Sequence, residues 1–103
     1  MNKREKAKRL LEFFNKDGSR WANHATVKGD TRRCLIQATE ELFGATSDLD
    51  MDKEFAKRLG LSLSNPNWSA DVGHWNDEQK WPTIKRLLNS IRDGRKYTGP
   101  KAT

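Results

Sequence analysis

The chain has little with which to staple or anchor itself. A single cysteine cannot close a disulfide within the chain, and no apolar stretch follows Met1, so neither a secreted disulfide scaffold nor a signal peptide is expected. No apolar run approaches the roughly 20 residues of a membrane-spanning helix. The expectation is a cytoplasmic protein with no membrane partner. Apolar side chains are also scarce, at 34% hydrophobic against 33% charged. A single domain of this size buries roughly 60 to 70% of its unfolded surface. The four tryptophans and four phenylalanines must therefore supply much of the core, since each large ring covers roughly 150 to 250 Å².

Acidic side chains are few at both ends. The net charge of +6 divides into +4 over residues 1–20, −4 over residues 21–78 and +6 over residues 79–103. Two basic ends thus flank an acidic middle. If the fold brings the ends side by side, they form one positive surface suited to phosphate or to an acidic protein. If it holds them apart, the charge serves solubility.

What is present is helical periodicity. Ala7, Leu10, Leu11 and Phe14 fall at i, i+3, i+4 and i+7 and predict a helix over 3–16, with Gly18 as its stop. Asp30 is placed to cap a second helix over 31–43, with Cys34, Leu35, Ala38 and Leu42 on its apolar stripe. Ser47 or Asp48 would cap a third over 49–59, carrying Met51, Phe55 and Leu59. Pro82 opens a fourth over 82–93, with Ile84, Leu87, Leu88 and Ile91 inward. Residues 61–64 alternate briefly and suggest a short strand, and "SADVGHWND" reads as one helical turn or a loop. The fold class is therefore all-α or mainly α: a single domain over 1–97, a bundle of about four helices, with 98–103 as a flexible tail. Trp21, Trp68 and Trp75 would seal its ends from the loops.

No motif dictates a reaction. Asp48, Asp50 and Asp52 have the spacing of the first ligands of a calcium loop, but Lys53 and Leu59 stand where that loop needs Gly and Glu. An acidic helix start explains them. Cys34 with His24, His74 and Asp77 could assemble a nucleophile, yet Cys34 falls on an apolar stripe, and no paired spacing supports zinc. No catalytic residue, metal or cofactor is assigned. Nucleic-acid binding has charge in its favour, from Lys3, Arg4, Lys6, Lys8 and Arg9 at one end and Lys85, Arg86, Arg92, Arg95 and Lys96 at the other. No recognition helix or zinc finger accompanies them.

The stretch "GHWNDEQKW" has two readings. As a clasp, Trp75 plugs the core while Asn76 or Asp77 caps the last helix, with Gln79 completing a capping box. As a site, His74, Asn76 and Asp77 grip a ligand. The clasp is the plainer reading. The order of Trp21 before a Gly-Asp turn, "RCLIQA" at 33–38, "WND" at 75–77 and a final amphipathic helix resembles a family of small, uncharacterised bacterial and phage proteins. Gln37 stands where that pattern expects glycine, and the first helix is unusually basic. The resemblance implies a shared core through Trp21, Cys34, Leu35, Ala38, Trp75, Asn76 and Asp77, and no reaction.

The function expected is a non-enzymatic binding protein of phage or mobile-element type. Its partner would be a host protein or nucleoprotein complex, as for an inhibitor of host defence, engaged through a charged surface. The alternatives are a nucleic-acid or nucleotide binder, with Trp21, His24 or Trp75 stacking on a base, and a small Cys/His hydrolase. The binding residues expected are Arg20, Trp21, His24, Arg32, Arg33, His74, Asn76, Asp77, Arg92, Arg95 and Lys96.

Overall fold

A computed structural model describes residues 1–44 and 49–102. Among these residues five helices follow one another: α1 (Lys3–Phe13), α2 (Leu35–Phe43), α3 (Leu49–Arg58), α4 (Trp68–Asp77) and α5 (Trp81–Arg92). The protein is mainly α, with one helix more than the sequence predicted. No strand forms among the described residues. Residues 61–64 instead enter a turn closed by Asn65 N–H on the Ser62 carbonyl. The expected caps Ser47 and Asp48 lie outside the described residues.

The first helix is capped by Asn2, whose side chain accepts from the Glu5 amide at 2.9 Å. It buries Ala7, Leu10 and Leu11 and ends at Phe13, three residues before the predicted end. Asn15 and Lys16 both take left-handed backbone, at φ 64° and 61°. The Lys16 amide closes the helix on the Leu11 carbonyl. That reversal leaves Phe14 fully buried and sets Gly18, at φ 79°, under the Trp81 ring.

The second helix starts four residues later than expected, for a definite reason. The Arg33 amide donates to the Arg20 carbonyl at 2.7 Å, and the Arg33 carbonyl accepts from Ala22 at 2.9 Å. With both peptide groups bound in a short bridge to the 20–22 segment, Arg33 cannot join a helix. Cys34 becomes the N-cap in place of Asp30. Its sulfur accepts from the Gln37 amide at 3.4 Å while the Gln37 side chain returns a bond to the Cys34 amide.

A full fourth helix stands where one helical turn or a loop was expected, and it carries Trp68 and Trp75. Trp68, Val72, Trp75 and Asn76 share its inner face, and the polar Asn76 within that stripe is what disguised it. Asn76 and Asp77 do not cap α5, whose N-cap Lys80 has no side-chain bond. Pro82 does occupy the first turn.

Phe14, just past α1, meets Trp81 at the start of α5 with ring centroids 5.4 Å apart. Arg4, near the start of α1, lies over Gly94, just past the end of α5. The first and last helices therefore run antiparallel and share the core of Leu10, Leu11, Ile84, Leu87, Leu88 and Ile91. The expected tail folds back. Tyr97 is buried, Trp75 Nε1 donates to the Pro100 carbonyl at 3.1 Å, and the Ala102 amide donates to the Leu59 carbonyl at 3.1 Å. Apolar contact with Trp75, 6.4 Å from the Tyr97 ring, is what draws this polar segment in. None of the helices among the described residues is long and apolar enough to cross a membrane.

Candidate binding surface

The residues singled out in the sequence separate into an inner group and an outer group. The inner group centres on Asn76, which is fully buried. Its Oδ1 accepts from Trp21 Nε1 at 2.9 Å and from the Leu35 amide at 3.1 Å. Its Nδ2 donates to the Ala22 carbonyl and to Asp77 Oδ1, each at 3.3 Å. Every polar atom of the side chain is thus engaged, and Asn76 ties the 20–22 segment and the first turn of α2 to α4. Trp21 is half-buried, with its indole hydrogen spent on this bond. Arg20 lies over the Phe13 ring, 4.3 Å from its centroid, and donates to the Thr31 carbonyl.

Arg32 pairs with Asp30 at 3.0 Å. Hydrogen bonds from the Arg32 side chain and backbone lower the Asp30 carboxyl to about 2. Arg33 donates to the Asp30 and Arg32 carbonyls and pairs with Glu41 at 3.2 Å. These contacts hold the loop between Ala22 and Cys34. His24 is exposed, its ring beside the Ala25 carbonyl. His74 is exposed on α4 in a shallow hollow of about 280 Å³ with Asp71, Glu78 and Lys101. Cys34 is buried, and burial pushes its thiol up from the ordinary value. That favours the protonated, non-nucleophilic form. Among the described residues, no three His, Cys, Asp or Glu side chains gather as a metal would require.

The outer group is basic. Because α1 and α5 pack together, the two positive ends of the chain lie side by side. Between them runs a groove of about 360 Å³ lined by Lys8, Lys16, Lys85 and Arg92, with Glu12, Leu11 and Asn89. Asn89 Oδ1 is buried there without a hydrogen-bond partner among the described residues. Arg92 pairs with Asp93 at 2.9 Å, and Arg95 binds the same carboxylate at 2.9 Å. Their hydrogen bonds hold Asp93 below the usual carboxylate range, with that from Arg92 the larger.

Beyond Asp93 lies a second hollow of about 410 Å³, lined by Lys57, Arg58, Arg95, Lys96 and Lys101 around Gly94 and Tyr97. The sequence pointed to Arg92, Arg95 and Lys96 but not to Lys16, Lys57, Arg58 or Lys101 as site residues. Lys57 and Arg58 could have been noticed as the basic last turn of α3. Nothing local marks Lys101, which arrives only because the chain end folds back. No family model matches the chain, and no curated protein or solved structure is significantly similar to it.

Proposed function

We propose that this is a non-enzymatic binding protein of phage or mobile-element type that occupies a host macromolecule, such as a defence complex, through the basic face built by α1 and α5. The observation that carries this reading is the antiparallel pairing of the first and last helices, which turns two separate basic segments into one surface. Lys8, Lys16 and Lys85 have no ion-pair partner among the described residues, so their charge is available to an outside anion. Leu11 in the groove floor adds a small apolar contact. The hydrolase reading draws no support from Cys34, whose sulfur caps α2 and whose thiol is held protonated by burial.

A second reading, nucleic-acid or nucleotide binding, is favoured by the same groove. Its stacking component is not supported at Trp75, which is 3% exposed, or at Trp21, which is held by Asn76. The test is capture from bacterial lysate by the tagged protein, with and without nuclease, alongside a K8Q/K16Q/K85Q variant. A stoichiometric protein partner that survives nuclease and is lost in the variant is the expected result. Retention of nucleic acid, with protein lost on digestion, would favour the second reading. Capture unchanged by the variant would overturn the role given to the α1–α5 face.

A further inference from the structure

The hollow beyond the end of α5 differs from the α1–α5 groove in that no carboxylate among the described residues lines it. Five cations surround it, drawn from three segments: Lys57 and Arg58 from the last turn of α3, Arg95 and Lys96 from the turn after α5, and Lys101 from the returning chain end. Two of the five are neutralised from outside the hollow, Arg58 by Glu54 at 2.7 Å and Arg95 by Asp93 at 2.9 Å. Lys57, Lys96 and Lys101 have no ion-pair partner among the described residues. Like charges gathered around one hollow repel one another, and an arriving anion relieves that repulsion.

The frame that holds them is built. Arg58 Nη1 donates to Ser90 Oγ at 3.2 Å and to the Arg95 carbonyl at 2.5 Å, joining the ends of α3 and α5. The floor is the buried Tyr97, whose hydroxyl donates to the Pro100 carbonyl at 2.5 Å. Two helices end here, and their carbonyl ends would repel an anion. Several of those carbonyls are already bonded: Ala56 by the Leu61 amide, Lys57 by Gly60, Ser90 by Arg95 and Ile91 by Gly94. Lys57, Lys96 and Lys101 are all exposed.

We propose that this cradle is a binding site for clustered phosphate groups, those of a nucleic-acid strand or of a free polyphosphate. It rests on the reading of the basic surface as the part that meets an anionic partner. Three exposed ammonium groups around an open hollow suit several phosphates at once, where a single planar carboxylate would suit an arginine fork better.

The test measures anisotropy of labelled oligothymidylate over a salt series, with tripolyphosphate and polyglutamate as competitors. The wild type is compared with K57Q/K96Q/K101Q and with a charge-matched control, K28Q/K53Q/K80Q, whose lysines line neither basic hollow. All six side chains are exposed, and thermal melts verify folding. Losing three phosphate contacts should lower the salt slope by about 2 and weaken binding about a hundredfold at roughly 0.1 M salt, with the control losing far less. Tripolyphosphate displacing the strand, or binding where the strand does not, identifies the source.

Equal losses in the two variants would overturn the cradle while leaving a diffusely basic binding surface intact. Displacement by polyglutamate as effective as by tripolyphosphate would overturn the phosphate assignment, as would a wild type that binds neither phosphate probe. The proposed function is judged separately, by lysate capture, which needs no phosphate probe.

Discussion

Replacing Asn76 with alanine is the most demanding perturbation of this fold. The side chain is fully buried and makes four hydrogen bonds. Its removal leaves the Leu35 amide and the Ala22 carbonyl unsatisfied at buried positions, and the Trp21 indole N–H unsatisfied at a half-buried one. The Leu35 amide is one of the free donors of the first turn of α2. Cys34 caps the Gln37 amide, and the Leu35 amide depends on a residue of another helix. Each buried group left unpaired costs about 1 to 3 kcal/mol. Two such groups give about 2 to 6 kcal/mol, before any cost at the half-buried indole. Against a typical total of about 5 to 15 kcal/mol this is a large share. At about 4 to 8 °C per kcal/mol for a domain of this size, the midpoint of thermal unfolding should fall by about 8 °C or more. Circular dichroism melts would show it, and a double-mutant cycle with Trp21→Phe should return a coupling of about 1 kcal/mol for the 2.9 Å bond. A loss below about 1 kcal/mol in the single variant would refute the reasoning. It would mean that water or a local shift satisfies these groups.

Further outcomes follow from other contacts. Cys34→Ser keeps an N-cap acceptor and should leave stability unchanged or raise it, whereas Cys34→Ala should cost about 0.5 to 2 kcal/mol in denaturant unfolding. The raised thiol pKa adds stability that is fully present below the unfolded value of about 8.5 and is lost as pH rises above it. The wild type should therefore weaken more than Cys34→Ser above that pH. For Asp30, the folded pKa of about 2 lies below the unfolded value near 3.9, so its contribution is present above the latter and lost as pH falls towards the former. Its titration by NMR should show a midpoint near the lower value, and Arg32→Gln should move that midpoint up. Gly18→Ala places a side chain on left-handed backbone and into the Trp81 ring. A loss of about 1 to 3 kcal/mol with altered tryptophan fluorescence is expected.

The amphipathic stripes of α1, α3 and α5 are complete in the sequence, and so are their inward residues, because side-chain spacing and hydrophobicity are local properties. α4 was hidden by one residue. Asn76 breaks the apolar pattern of Trp68, Val72 and Trp75, and only the presence of Trp21, Ala22 and Leu35 around it makes a buried amide stable there. The start of α2 was misplaced for a similar reason. Asp30 is a sound cap in isolation, but Arg33 had already bound both its peptide groups to the 20–22 segment.

The basic charge of the two chain ends belongs to composition and needed no fold to be seen. Their meeting in one groove, and the arrival of Lys101 beside Lys57, depend on the antiparallel docking of α1 on α5 and on the return of the chain end over Trp75. Local spacing determines which side chains a helix turns inward. Which distant side chains become neighbours is decided by burial of the shared core, and that is a property of the whole chain.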